Sequence, residues 1–268
     1  MKFSIITPSF NNERYILETL MSVLNQEGDF AIEHIVIDGQ SSDKTVEIFK
    51  DYDERLKKGE LESKCQSYEF KWISEKDSGM YDAILKGFAM SIGDIMAWIN
   101  ADDKYQEGAF RKIAKSFDEN EKIIWIKGIT DYMEKDGSIR KGKLNGYKRN
   151  LIRKGLYGTV GRFIQQDSVF WKRELWESVN HNELRQYKLA GDFRLWQLFA
   201  EKAKMHSIPI HVSYFRKRDG QLSSEIEKYL AEANKTVELS PLERRFYTVL
   251  FRIDRFFNYF FNKYYTKE

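Results

Sequence analysis

The chain has 268 residues, 42% hydrophobic and 15% aromatic, enough for one large buried core and too apolar for disorder over most of its length. Its 44 basic and 41 acidic side chains leave a formal charge of +3, without the strongly basic balance of a nucleic-acid-binding domain, so no nucleic-acid partner is expected. Cys65 is the single cysteine, which excludes an internal disulfide and a cysteine-rich zinc site, and the four histidines stand without metal-ligand spacing.

In chain order, the apolar run Phe3 to Ile6, stopped by Thr7-Pro8-Ser9, predicts a buried strand and a loop rather than a signal peptide. Glu13 to Gln26 has helical spacing, with Ile16, Leu20, Val23 and Leu24 on one side. His34 to Gly39 predicts a second strand and Asp43 to Tyr52 a second helix. Lys57 to Gln66 is charged and reads as a surface turn or helix end. Tyr68 to Ser74, Met80 to Ser91 and Ile95 to Ile99 then predict strand, helix and strand. This alternation implies a mostly parallel α/β sheet with helices on both faces. Beyond residue 105 the pattern weakens. Gly108 to Asn120, Arg173 to Asn180 and Phe193 to Ala203 read as helices, and Lys122 to Met133 with Gly137 to Leu144 as strand or hairpin. Pro241 to Tyr265 is a long helix of different character. No run approaches the length of a membrane span, so a cytoplasmic chain is expected.

Ligands of open parallel sheets bind beyond the carboxyl ends of the strands. Four such ends are legible: Thr7 to Asn12, Asp38 to Asp43, Glu75 to Gly79, and Asn100 to Asp103. Three carry carboxylates. Adjacent Asp102 and Asp103 repel unless solvated or neutralised, and Mg²⁺ or Mn²⁺ favours one or two carboxylates together with phosphate oxygens. A solvated loop or a helix cap is the competing reading. Asp38 can accept from the imide N–H of a uracil-type base, or it can cap the following helix.

These segments resemble a known family. Thr7-Pro8-Ser9-Phe10-Asn11, Val36 to Thr45, Asp77-Ser78-Gly79-Met80-Tyr81-Asp82-Ala83 and Trp98 to Asp103 look like ordered motifs of the family-2 inverting glycosyltransferases, whose fold is GT-A. Gln165 to Arg173 and Leu189 to Trp196 continue the likeness, which covers roughly residues 3–225. It implies a nucleotide-sugar donor, UDP-linked in the commonest case, a glycan or lipid-linked acceptor, and Mn²⁺ or Mg²⁺. Thr7, Pro8 and Phe10 would line the base and ribose pocket, Asp38 would read the base, and Asp77 would border the nucleotide. Asp102, with Asp103, would hold the ion. Asp192 would be the general base, although an N-cap role fits it as well. Gln165, Gln166, Asp167 and Trp171 would shape the sugar side, with core packing the alternative for the tryptophans. Two departures stand out. Asn100 occupies a position often filled by Asp, and Arg218 stands where the family often has His near the diphosphate. An Arg there can pair with phosphate oxygens or belong to a solvated basic loop.

The expected organisation is a glycosyltransferase domain over residues 1–225 and a helical tail over residues 226–268. In the tail, Leu242, Phe246, Val249, Ile253, Phe256 or Phe257, Phe260 and Tyr264 recur at helical spacing, flanked by Arg244, Arg245, Arg252, Arg255, Lys263 and Lys267. Such a helix suits the inner face of an anionic membrane, its own domain, or a second copy in a homodimer. An inactive sugar-nucleotide or glycan-binding protein is the competing function. A nucleotidyltransferase is disfavoured, since Thr7 to Asn12 lacks a glycine-rich phosphate loop.

Overall fold

The computed structural model describes residues 1–160, 162–221 and 224–265, with the side chains of 254–265 excepted. Its first half is the predicted alternation: β1 (Lys2–Ser9), α1 (Ile16–Leu24), β2 (Glu27–Asp38), α2 (Thr45–Lys57), β3 (Lys64–Ser74), α3 (Met80–Ala89) and β4 (Ile95–Trp98). There follow β5 (Lys104–Tyr105), α4 (Ala109–Asp118), β6 (Trp125–Met133), β7 (Ile139–Arg140), α5 (Arg149–Arg153), β8 (Val169–Lys172), α6 (Arg173–Glu177) and α7 (Gly191–Lys202). The remaining elements are β9 (His206–Arg216), α8 (Ile226–Ala233) and α9 (Pro241–Tyr265).

The strands form one sheet in the order β3-β2-β1-β4-β8-β6-β9-β5, with β7 paired to β6. From β3 to β4 all pairings are parallel, so the carboxyl ends of β1, β2, β3 and β4 share one edge. The second half is mixed. Strand β8 runs antiparallel to β4 and β6, β6 is parallel to β9, and β5 is antiparallel to β9.

Buried strands between helical layers carry apolar residues on both faces, which is why β1 reads as a continuous apolar run. Phe3 and Ile5 pack with Phe30, Phe110 and Phe170 on one side, while Ile6 joins Trp98, Trp125, Trp171 and Phe199 on the other. Helix α3 lies close on β1 because Gly87 faces Ile6, where a β-carbon would come within 2.5 Å of that side chain. Helix α1 buries Ile16, Leu20 and Leu24 against Val36, Phe49 and Ala101.

Several elements depart from expectation, three of them for reasons the structure shows. Strand β9 was not legible, and Pro209 with half-exposed neighbours breaks any alternation that would have marked it. Helix α1 begins at Ile16 rather than Glu13, because Asn12 to Tyr15 form a turn whose N–H groups bond back to Asn12 and whose Glu13 N–H donates to Asp43. Strand β3 starts at Lys64, inside the charged stretch read as a turn, through its parallel ladder with β2.

Residues 226–253 pack on the rest of the chain. Glu232 on α8 bonds to the backbone before α7, and Glu243 on α9 pairs with Lys154 at 2.7 Å. Phe251 meets Tyr157 edge-on. The other side of α9 leaves Leu242, Phe246, Val249, Leu250 and Ile253 exposed. The expected apolar and basic side chains of 254–268 lie outside the described residues. Among the described residues no helix is long and apolar enough to cross a membrane.

Candidate active site

The loops after β1 and β2 clasp each other. Asn11 and Gln40 both take positive φ, 51° and 64°, a conformation that costs most residues about 1 kcal/mol or more and persists only where surroundings enforce it. Here the Asn11 N–H donates to Ser41 Oγ, and the Ser42 N–H donates to Asn11 Oδ1. The loop after β3 joins them at Gly39, where a β-carbon would stand 2.9 Å from Asp77 Oδ2, a close approach of the two loops. Asp77 in turn accepts the Gly79 N–H at 2.8 Å, which shapes the entry to α3.

Within this frame the predicted nucleotide residues divide. Phe10 is 60% exposed at the rim and Asp77 is half-buried there. Thr7, Pro8 and Asp38 are not presented to the cleft. Thr7 and Pro8 are buried within β1, and the Thr7 hydroxyl is engaged with His34 Nε2 at 2.9 Å. Asp38 is 0% exposed, and its carboxylate accepts from the Ser41 N–H and hydroxyl and from Ser74 Oγ. With these donors Asp38 organises the loop at its strand end. Asp43, one residue before the N-cap Lys44, accepts the Thr45 N–H at the start of α2.

After β4, Asp102 and Asp103 separate in direction. Asp103 points inward and is 1% exposed; its Oδ1 accepts the Arg216 N–H and its Oδ2 the Asn100 side-chain amide. Burial first, then the charges of Asp102 and Asp167, push its pKa well above the usual carboxylate range. Asp103 thus ties the loop after β4 to β9. Asp102 instead meets Arg218, whose Nε donates to its Oδ2 at 2.5 Å. Arg216, bonded to the Asp102 carbonyl and to Glu18, and Arg218 both lie over the Tyr15 ring, at 4.7 and 5.8 Å. The basic reading of Arg218 therefore becomes a defined contact.

No group of three or more His, Cys, Asp or Glu that could cage a metal ion occurs among the described residues. The donor chemistry fits a different mode. Asn100 Oδ1 is buried without a hydrogen-bond partner two residues from Asp102. Few oxygen donors of this kind suit a Mg²⁺- or Mn²⁺-type ion whose shell is completed by phosphate and water.

On the sugar side, Gln165 and Gln166 are half-buried, and both polar atoms of the Gln166 amide lack partners. Asp167 is 1% exposed and bonded to Ser213, with Lys127 nearby. Burial drives the Lys127 pKa down to about 8 while Asp167 opposes the shift. Trp171 corrects the expectation. It is fully buried among Trp98, Trp176, Trp196 and Phe199 and offers no face to a sugar.

Asp192 opens α7 and is half-buried. It is not an N-cap, that position belonging to Ala190, and its environment was not legible beforehand. Tyr81, in the first turn of α3, sends its hydroxyl to Leu189 O at 3.0 Å and to Asp192 Oδ1 at 3.3 Å, and accepts the Asp192 N–H at 3.0 Å. Tyr229 of α8 donates to the same Oδ1 at 3.4 Å. Burial raises the Asp192 pKa to about 6, opposed by hydrogen bonds from the Phe193 N–H and the two phenols. The Lys188 ammonium donates to Ser78 O, which ties the segment before α7 to the loop after β3. Asp192 thereby flanks the same sheet edge as the Asp77 and Asp102 loops. Tyr81 lay inside a quoted motif, whereas Tyr229 and Glu232 carried no signal, because their partners lie about 40 residues away in sequence.

The profile of the family described as Glycosyl transferase family 2 matches residues 4–179. An uncharacterized glycosyltransferase of Mycobacterium tuberculosis is 35% identical over 102 residues, 38% of this chain and 34% of that protein. The minor teichoic acid biosynthesis protein GgaB of Bacillus subtilis is 24% identical over 87% of this chain and 24% of its own length. The chain thus spans a third or less of these two relatives. Among solved structures, TarS 1–349 of S. aureus in complex with UDP-GlcNAc superposes with a TM-score of 0.58 at 19% identity, covering 94% of this chain and 71% of that one. The mannosyltransferase PcManGT of Pyrobaculum calidifontis, in complex with GDP-Man and Mn²⁺, gives 0.57 at 15% identity over 89% and 66%. The chain belongs to glycosyl transferase family 2, and its fold is GT-A.

Proposed function

We propose that this chain transfers a sugar, with inversion, from a nucleoside-diphosphate donor of the UDP-sugar type to a hydroxyl of a glycan or lipid-linked acceptor. The observation that carries the reading is Asp192: a half-buried carboxylate with a pKa raised to about 6, beside the edge that carries Asp77 and the Asp102–Arg218 pair. A base works best with a pKa near the operating pH, and this one is ionised at neutral pH yet basic enough to take a proton.

In this mechanism an Asp192 oxygen accepts the acceptor's hydroxyl proton as that oxygen bonds to the anomeric carbon. The bond from that carbon to the diphosphate breaks, and its electron pair leaves with the nucleoside diphosphate. Arg218 turns from Asp102 to the diphosphate oxygens and offsets their growing charge. Asp102, with Asn100 beside it, would hold a divalent ion that supplies further charge neutralisation when bound. Phe10 and Asp77 border the nucleotide, and the unpartnered Gln166 amide with Gln165 addresses the sugar. The apolar outer face of α9, with Arg245 and Arg252, docks on an anionic bilayer, which suits a lipid-linked acceptor.

The test is a panel of nucleotide-sugars assayed with Mn²⁺ for transfer or donor hydrolysis. Asp192→Asn is expected to lower kcat by about 10²- to 10⁴-fold, the usual contribution of a positioned base. Full activity in that variant would remove the assignment, and the absence of turnover with every donor would favour a sugar-nucleotide-binding protein.

A further inference from the structure

Two phenols from separate helices, Tyr81 of α3 and Tyr229 of α8, converge on Asp192. The Tyr81 ring is 2% exposed and lies flat against Gly191, where a β-carbon would come within 2.6 Å of the ring. Only glycine before Asp192 lets the phenol approach this closely. Tyr229 reaches the same carboxyl oxygen from α8, and its ring meets Phe163 edge-on at 5.4 Å. Glu232, one turn further along α8, accepts the N–H groups of Lys188, Leu189 and Ala190. These amides belong to the segment leading into α7. Three bonds to one carboxylate fix α8 against the segment that aims Asp192.

We propose that Tyr81 and Tyr229 are positioning residues for the base, their hydroxyls converging on Oδ1 of Asp192 so that Oδ2 is turned to the acceptor, with Glu232 holding α8 in place. The proposal rests on the reading of Asp192 as base and adds what orients it. One hydroxyl proton on Tyr81 serves two acceptors, Leu189 O and Asp192 Oδ1. When Asp192 is ionised the proton turns to the carboxylate, and when Asp192 has taken the acceptor's proton it turns to the carbonyl. Both protonation states of the base are then accommodated without moving a ring. The titratable groups that face this carboxyl are Tyr81 from α3 and Tyr229 and Glu232 from α8, while the nearby Lys188 ammonium is held by Ser78 O. No cation offsets the charge of Asp192 among these, so the phenols are the groups able to tune it.

The test uses the full chain and the variants Tyr229→Phe and Tyr81→Phe, which keep the rings and remove the hydroxyls. The pKa of Asp192 is read directly from the ¹³C shift of its carboxyl, assigned by comparison with Asp192→Asn. A hydroxyl that donates to the charged form lowers a carboxyl pKa, so each variant is expected to raise it by about half a unit to one unit. The acid limb of kcat/KM moves up in parallel, kcat falls, and the donor KM is unchanged. Tyr229→Phe is the cleaner probe, since Tyr81 also supports Leu189 and the Asp192 N–H. Its melting temperature, checked beside the titration, verifies the fold. An Asp192 pKa that stays put in both folded variants overturns the proposal, whatever kcat does. Unchanged activity in Asp192→Asn would overturn the base assignment instead, and the carboxyl titration separates the two results.

Discussion

Arg218 donates through Nε to Oδ2 of Asp102 at 2.5 Å, joining two segments 116 residues apart. A cation seated on the carboxylate expected to hold a metal neutralises it in the absence of ligand. In the proposed mechanism the pair would open when diphosphate arrives, the guanidinium exchanging one anion for another. Arg218→Ala should raise the donor KM by about 10- to 100-fold, the scale of a hydrogen bond to a charged group. Initial-rate kinetics against donor concentration measure this, and an unchanged KM would mean that Arg218 stays with Asp102 throughout.

Asp102 and Asp103 differ in accessibility and partners, so they should differ in phenotype. Asp102→Asn is expected to weaken Mn²⁺-dependent stabilisation of the donor complex by about tenfold or more in metal concentration, because the carboxylate freed when Arg218 turns to the diphosphate is lost. Asp103→Asn keeps the shape of an inward group whose pKa already stands well above the usual range, and should leave the metal titration within about twofold. Thermal melts across a Mn²⁺ series, with and without donor, distinguish the two variants; equal loss in both would restore a shared metal role.

Asp192 also bears on stability. Its carboxyl has a pKa of about 6 in the folded chain against an ordinary value near 4 unfolded, so between those values the folded state holds the proton more tightly. Stability contributed by this group is therefore greatest below about pH 4, declines as pH rises towards 6, and stays reduced above it. Asp192→Asn should raise the melting temperature at pH 7.5 by a few degrees and leave it nearly unchanged at pH 4. Scanning calorimetry at both pH values is the check, and a variant that melts lower at pH 7.5 would contradict the burial argument.

The exposed side chains of α9 provide a direct test of surface docking. Phe246 and Val249 are 60% and 49% exposed, so glutamate at both positions should not disturb the fold. Binding of the intact chain to anionic liposomes, measured by co-sedimentation, should drop by about tenfold or more in the Phe246→Glu, Val249→Glu variant and should weaken with salt. Equal sedimentation of the two proteins would remove the membrane as the occupant of this face.

The legible parts of the molecule are those determined by local pattern. Runs such as Ile95 to Ile99 and Val36 to Asp38 marked strands because burial on both faces demands continuous apolar residues. The loops at their ends carried the polar residues that a ligand edge needs. What could not be read depends on tertiary direction. Asp38 and Asp103 sit in the right loops, yet Ser41 and Ser74, or Arg216 and Asn100, turn them inward. Trp171 shares its motif with half-buried glutamines, and strand β8, buried at Val169, Phe170 and Trp171 alike, carries it into the core. Strand β5, of two residues, exists only through its pairing with β9. Tyr229 and Glu232 stand in a segment assigned to the tail, and their importance comes from residues about 40 positions earlier in the chain.

Glu232 gathers three amides from residues 188–190, and this has a temporal corollary. A chain emerges from the ribosome amino end first, and its domains fold in that order. By residue 225 every family motif has already appeared, but the amides ahead of α7 still await their acceptor and Asp192 lacks one of its phenols. The nascent protein would then carry a nucleotide edge before a fully aimed base, the aim arriving only once Tyr229 and Glu232 have been made.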